Sequence, residues 1–307
     1  MIYGLWTNPL YVETAGLILG SLLVLAILVF FLKRKGAPYT SAWASLKSWL
    51  FMAPVLFLFF ALPKPWPLVF LTWLGVLTAK SFFQMVGMYH RSWFVWTTYL
   101  FIFFMGYLVY AGQTEYFNLV PMLFLGVIAL IPLLRNSAAQ MIQYMALSLM
   151  AFIFWGWSFM HMGRLLTIEG GELMVLYLYL LVEVGENTSW GFSKLLGGPK
   201  PFSKISGKVT VPGMLIALIV TMAVAWGLRH LLPDQSEQFW IMAGLAAAVF
   251  GRVGDLLISV IRRDLGIKNT GIFIIGRDGL LTRVDKLIFV APMYYYLYIY
   301  FQQIALP

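Results

Sequence analysis

The chain has 307 residues, of which 61% are hydrophobic and 11% are charged. Soluble domains carry roughly 25% charged residues, so this composition excludes an ordinary soluble protein and predicts a polytopic membrane protein. The chain has no cysteine, which excludes disulfides and thiolate metal sites, and its three histidines are too scattered for a zinc motif. A formal net charge of +9 would indicate nucleic acid in a soluble protein. Here we expect no nucleic-acid partner, because the distribution of basic residues across a membrane explains most of the charge.

Apolar runs follow one another along the whole chain, each near the roughly 20 residues that a membrane-spanning helix needs. We therefore expect an all-α protein with about ten transmembrane helices. The second and third runs are short, and the two prolines between them favour either a tight helical hairpin or a single re-entrant element. The runs cover residues 15–32, 48–63, 66–79, 93–111, 118–134, 141–161, 171–186, 211–228, 239–261 and 287–304.

The basic residues predict an orientation for these helices. No basic residue precedes Lys33, so the first run is expected to be a retained helix and not a cleaved signal peptide. The basic cluster 33–35 then marks its cytoplasmic end, with the N-terminus outside. In this topology seventeen of the twenty-one Lys and Arg residues face the cytoplasm. The exceptions are Lys64, Arg164, Arg229 and Arg252.

Acidic residues divide the chain into two unequal parts. Only Glu13 and Glu115 precede Glu169, so the first part offers little for metal-dependent chemistry. We expect residues 1–165 to form a scaffold with lipid or oligomer contacts. Residues 166–307 are then a membrane domain that carries the chemistry, with cytoplasmic loops at 187–210 and 262–286.

The first of these loops has a composition that suits phosphate. Glycines let a backbone approach an anion closely, and lysines supply charge and donors. The same composition is also typical of a positively charged cytoplasmic loop beside anionic lipid. Glu183 and Glu186 lie three residues apart just before the loop, and Glu183 is expected to be a helix-end charge that pairs with a lysine of this loop.

The second informative stretch is 251–285. Arg252 and Asp255 lie three residues apart, which places them on one helix face. An ionisable pair within a membrane helix indicates a functional site, although the two charges could also neutralise each other without a catalytic role. Three basic residues that follow could hold an anionic head group or a triphosphate, or could simply end a membrane helix on its cytoplasmic side. They are Arg262, Arg263 and Lys268.

The order of residues in this stretch resembles the signature of the phosphatidate cytidylyltransferase (CDP-diacylglycerol synthase) family, with no gap. Gly254, Asp255 and Leu256 match the family's Gly-Asp-Leu. The further matching positions are Ser259, Ile261, Arg263, Lys268, Gly271, Gly279, Leu280, Arg283, Val284 and Asp285. Other positions depart from the pattern. Ile258 stands in place of Glu, Arg262 in place of Lys, Asn269 in place of Asp, Ile275 in place of Pro, Arg277 in place of His, Asp278 in place of Gly, and Thr282 in place of the first Asp of the closing motif.

The resemblance extends over about residues 170–305. The family uses an acidic residue, an aromatic residue and a series of glycines and lysines for the nucleotide, and Glu186 and Trp190 stand at the first two positions. Residues 206–210 stand at a scrambled Ser-Pro-x-Lys-Thr segment. The resemblance therefore implies these nucleotide-binding residues: Glu186, Lys194, Gly197, Lys200, Ser206 and Lys208.

The resemblance implies transfer of a cytidylyl group from CTP to phosphatidate or a related lipid phosphate, giving CDP-diacylglycerol and pyrophosphate with Mg²⁺. It also implies a homodimer in a bacterial inner membrane, with the site on the cytoplasmic side. The implied catalytic residues are Asp255, Asp285, Lys268 and Arg263, and those for the lipid phosphate are Arg262 and Arg283. The implied metal ligands are Asp255 and Asp285, to which we add Asp278 as a compensation for Thr282.

Two other functions stay open. The substitutions in the closing motif also fit a catalytically impaired relative that binds lipid or nucleotide or supports a partner membrane enzyme. A transporter that uses Arg252 and Asp255 as an intramembrane site is less favoured, because the sequence lacks paired broken helices in two halves.

Overall fold

The computed structural model describes residues 4–32, 37–232, 237–266 and 280–305, and within these ranges the chain is helical, with no strand. The first helices are α1 (Pro9–Leu32), α2 (Ala37–Phe60), α3 (Trp66–Met85), α4 (Ser92–Tyr110) and α5 (Val120–Leu134). A continuous helical stretch follows, made of α6 (Met141–Phe152), a π-helical turn (Ile153–Ser158) and α7 (Phe159–Leu166). The remaining helices are α8 (Gly171–Leu196), α9 (Val211–Gly227), α10 (Glu237–Asp264), α11 (Leu280–Val284) and α12 (Leu287–Ala305).

The prediction of an all-α membrane protein is confirmed. Each apolar run of the sequence overlaps a helix, because an apolar chain in lipid must satisfy its backbone hydrogen bonds internally. Within the described ranges, five helical stretches are long and apolar enough to cross a membrane. They are α1, α3, α4, Met141–Leu166 and α10. The count of ten spans and the outward N-terminus stay predictions.

Several predicted boundaries are wrong. The run 48–63 belongs to the longer α2, and it is separated from α3 by residues 61–65, so the two runs are not one element. The polar stretch after Glu186 continues α8 as far as Leu196, where Gly197 with φ of 64° ends the helix. The predicted loop 187–210 therefore begins ten residues too early. Similarly, α10 includes residues 262–264, whereas the sequence predicts that the second loop begins at residue 262.

Glycines bring the helices of the second half close together. A Cβ on Gly213 of α9 would lie 2.1 Å from the Ser193 hydroxyl of α8, and one on Gly185 would lie 2.8 Å from the Thr221 hydroxyl. Such approaches of small residues are typical of helix packing in membranes. The packing sets α8, α9 and α10 side by side, and α12 lies against α10 and α8.

Candidate active site

The polar residues of the second half converge where α8 and α10 meet the turn 285–286, just before α12. Lys286 is 2% exposed, and its Nζ donates to Oε1 of Glu183 at 2.6 Å. The same ammonium forms an ion pair with Glu186. Because Glu183 and Glu186 are three residues apart on α8, one lysine reaches both carboxylates. Chain segments 103 residues apart are thereby joined inside the protein.

The close approach of α10 to this turn depends on Gly254. A Cβ at this position would lie 2.3 Å from the backbone oxygen of Asp285 and 3.0 Å from the Cα of Lys286. Any larger side chain would push the turn away from α10. Gly254 immediately precedes Asp255, so the contact also brings that carboxylate to the cluster.

Asp255 and Arg252 form the pair that their spacing predicts. Nη1 of Arg252 donates to Oδ2 of Asp255 at 2.9 Å, and both side chains are largely buried. The two charges of this pair are therefore in direct contact. One Asp255 oxygen is engaged by a cation of its own helix.

Among the described carboxylates of this cluster, Asp285 has the fewest compensating contacts. Within the described part of the chain its two oxygens are buried and accept no hydrogen bond. Nη2 of Arg262 lies 3.8 Å from Oδ2. Burial raises the pKa of the Asp285 carboxyl well above its ordinary value, and the carboxylates of Asp255 and Glu186 raise it further. A buried carboxylate without donors is a place where a cation would be stabilising.

Behind the polar cluster lies a cavity of about 310 Å³ between α8, α9 and α10. Its walls are mainly apolar side chains of α9 and α10, together with Phe202 of the loop 197–210. Glu186, Arg252, Asp255 and Lys286 also line it. The cavity thus combines an apolar space with charged groups of both signs.

The loop 197–210 is anchored at two points in its second half. Thr210 caps α9, since its hydroxyl accepts from the backbone N–H of Gly213 at 3.3 Å, and it also donates to the Ser193 hydroxyl at 3.1 Å. Nε of Arg263 donates to the backbone oxygen of Ile205 at 3.3 Å, which ties the loop to the end of α10. The loop therefore lies beside the cluster and the cavity.

The structure brings together only part of the site expected from the sequence. Glu186, Asp255, Asp285 and Arg262 belong to the cluster, and Arg263 holds the loop. Within the described ranges, no hydrogen bond or ion pair joins the exposed Lys194, Lys200 or Lys208 to the carboxylates.

The other expected residues have varied surroundings. Lys194 lies over the Trp190 ring, with Nζ 5.4 Å from its centroid. Gly197 ends α8 and Ser206 is buried in the loop. Arg283 is buried, and its Cζ lies 5.9 Å from the centroid of the Trp49 ring. Lys268 and Asp278 lie outside the described residues.

Sequence reasoning missed the role of Lys286 and gave Glu183 a wrong partner. Glu183 pairs with Lys286 and not with a lysine of the next loop. The side-chain amide of Asn187 also donates to the Glu183 backbone oxygen at 2.8 Å. The signal available in the sequence was a lysine directly after Asp285, at the start of an apolar helix.

Fold and site together define a helical membrane protein with a buried carboxylate and cation cluster beside an apolar cavity. Residues 43–301 match the model of the cytidylyltransferase family, so the chain belongs to that family.

Relatives with curated names are similar over part of their length. The chain is 34% identical over 154 residues to "Uncharacterized protein YnbB" of Escherichia coli K12, covering 47% of this chain and 52% of that protein. It is 28% identical over 178 residues to "Phosphatidate cytidylyltransferase" of Staphylococcus aureus strain COL, covering 57% and 66% respectively. The protein of the same name from Staphylococcus haemolyticus is 29% identical over 150 residues, 48% of this chain and 56% of that protein. The chain thus matches between half and two thirds of these relatives.

Proposed function

We propose that this protein transfers a cytidylyl group from CTP to phosphatidate or a related lipid phosphate, giving CDP-diacylglycerol and pyrophosphate. The observation that carries the proposal is a pair of carboxylates beside an apolar cavity. Asp255 lines the charged side of the cavity, and Asp285 has buried oxygens that accept no hydrogen bond in the described part of the chain. Membership in the cytidylyltransferase family and the names of the staphylococcal relatives support the same reaction.

Mg²⁺ fits the carboxylates of this cluster. Mg²⁺ prefers oxygen ligands and usually keeps several waters, so one or two protein carboxylates and the substrate phosphates can hold it. Asp285 has buried oxygens without hydrogen-bond donors in the described part of the chain, and Asp255 lies close enough to raise its pKa. The residues that the structure describes contain no group of three or more His, Cys, Asp or Glu arranged for a metal, and Asp278 lies outside the described residues. When bound, Mg²⁺ would neutralise charge on the triphosphate.

The charged and apolar parts of the cavity suit two different parts of the substrates. Acyl chains of the lipid would lie among the apolar side chains of α9 and α10. The lipid phosphate would lie toward Arg252 and Arg262, and CTP toward the loop 197–210 with its glycines and lysines. Such catalysis depends mainly on positioning two anionic reactants and on neutralising their charge.

In the proposed reaction, an oxygen of the lipid phosphate attacks the α-phosphorus of CTP in line. A new phosphorus–oxygen bond forms, the bond from the α-phosphorus to the bridging oxygen breaks, and pyrophosphate leaves with that electron pair. Arg262 and Arg263 lie at the end of α10, where their guanidinium groups can hold the entering phosphate or the leaving one.

We place this reaction at the cytoplasmic face of a bacterial inner membrane, in a homodimer whose residues 1–165 supply scaffold and subunit contacts. The excess of Lys and Arg in the predicted cytoplasmic segments supports this orientation. Cleavage of single engineered protease sites in inverted vesicles would test it.

The direct test is pyrophosphate release by the purified protein with CTP, Mg²⁺ and phosphatidate, beside the variant Asp285→Asn. Turnover should fall by a factor of about 100 or more in the variant, since a carboxylate that would hold the charge-neutralising Mg²⁺ is lost. Glu115→Gln is the matched control, because Glu115 is exposed and distant in sequence from the cluster, and it should retain activity. Equal turnover in Asp285→Asn and the parent protein would contradict the proposed site.

A catalytically impaired relative is the second candidate. It is favoured by Thr282 in place of an expected carboxylate and by the 2.9 Å contact that engages Asp255 with Arg252. Absence of turnover by the parent protein, with a staphylococcal relative active in the same assay, would support this function. Association with a partner membrane enzyme would then be the property to measure.

A further inference from the structure

We infer that the Lys286 ammonium permanently occupies a cation position formed by Glu183 and Glu186, and thereby leaves a metal ion to bind at Asp285 and Asp255. The second part of this inference rests on the proposed function. The first part concerns only residues that the structure describes.

The contacts of Lys286 are those of a bound cation. Its Nζ lies 2.6 Å from Oε1 of Glu183 and also pairs with Glu186, and the side chain is 2% exposed. Burying an ammonium costs several kcal/mol unless carboxylates compensate it at close range. Two acidic side chains from α8 provide that compensation, so neither of them needs a soluble cation.

The same two glutamates would attract a divalent ion if the lysine were absent. They lie three residues apart on one face of α8, and Glu183 is as deeply buried as Lys286. Two unpaired carboxylates at this position would repel each other and the phosphates of a nucleotide. A fixed ammonium removes that repulsion and cannot dissociate.

The position of Lys286 in the chain couples this role to Asp285. The two residues are consecutive in the turn before α12, and their side chains interact with different helices: Lys286 with α8 and Asp285 with Arg262 of α10. Gly254 packs against the backbone of both. Lys286 is therefore engaged by α8, while Asp285 keeps oxygens that accept no hydrogen bond from the described residues.

Binding of Mn²⁺ alone tests the inference without requiring turnover. Free Mn²⁺ is titrated by electron paramagnetic resonance against the full chain in detergent micelles. The variants are Lys286→Met and Lys286→Met/Glu183→Gln, with Lys64→Met as a control because Lys64 pairs with Glu172 while its own side chain is half-exposed. Lys286→Met should bind an additional equivalent of Mn²⁺, which the double variant should lose. The same number of equivalents in Lys286→Met and the parent protein would overturn the inference.

A second variant decides the question even if Lys286→Met does not fold. Glu183→Gln alone should leave the Mn²⁺ affinity of the parent protein within about twofold, because Lys286 and not the metal is bound there. A loss of about tenfold or more, as is usual when a group that supports a metal is removed, would overturn the inference. A parent protein that binds Mn²⁺ but releases no pyrophosphate would contradict the proposed function and leave this comparison intact.

Discussion

Buried hydroxyls of the helices α3 and α4 bond locally, whereas the buried charges around Lys286 pair over long separations in the chain. In α3, the hydroxyls of Thr72 and Thr78 donate to carbonyls four residues earlier, at 2.8 and 2.6 Å. Thr98 of α4 does the same at 2.8 Å. The cluster instead joins residues 103 positions apart. A helix with local bonds can form alone, whereas the cluster exists only after α8, α10 and α12 have packed.

The largest effect on stability is expected when the buried cation is removed. Lys286→Met should destabilise the protein by about 3–5 kcal/mol, because it leaves two buried carboxylates without a partner. Unfolding in mixed micelles, followed by tryptophan fluorescence, measures the loss. Lys64→Met, at a pair that is half-exposed on the lysine side, should change stability by about 0–1 kcal/mol. Equal effects of the two variants would show that burial of the pair does not matter.

The second test changes the packing of α10 against the turn 285–286. Gly254→Ala should cost about 1–3 kcal/mol and lower turnover, since the new Cβ would lie 2.3 Å from the Asp285 backbone oxygen. Gly191→Ala is the matched control within α8, where a Cβ would meet nothing within 4 Å, and it should be neutral or slightly stabilising. Wild-type stability in Gly254→Ala would show that the turn can move away from α10.

The third test measures how the Asp285 carboxyl makes stability depend on pH. Burial raises the pKa of Asp285 in the folded protein above its unfolded value. The folded protein therefore binds the proton of the Asp285 carboxyl more tightly than the unfolded chain does. The stability that this protonated carboxyl contributes is fully present below the unfolded pKa and is lost as pH rises through the folded pKa. In metal-free buffer, Asp285→Asn should stabilise the protein at neutral pH and flatten the pH dependence above about pH 4. A parallel pH profile in parent and variant would contradict this.

The smallest effect is expected where the hydroxyl bond is local. Thr98→Val should cost about 0.6 kcal/mol, as polar contacts in membrane helices average, because the Phe94 carbonyl remains in the helix. The same unfolding assay measures it. A loss as large as that of Lys286→Met would remove the distinction between local and long-range polar contacts.

The sequence predicted the helices better than their ends. Each apolar run became part of a helix, since hydrophobic length and backbone satisfaction in lipid leave few other structures. The end of α8 was missed because residues 187–196 are polar, and hydropathy does not register a helix that continues into a polar region. Gly197 was the local signal for the end of this extension.

The sequence predicted the contacts of the candidate site that are local in the chain and missed those between distant segments. The pairing of Arg252 with Asp255 follows from helical spacing, and the position of Asp285 follows from the resemblance to the family signature. The partner of Glu183 could not be read from spacing, because Lys286 is distant in the chain and any of several nearer lysines was equally available.

The sequence by itself determined the membrane class, the helical content, the family and the local pair on α10, because these depend on composition, short spacings and an ordered motif. Only the tertiary structure decided which carboxylates share Lys286, how closely Gly254 lets α10 approach the turn, and where the apolar cavity lies. Those features depend on the distances between helices, which packing sets and a linear pattern does not contain.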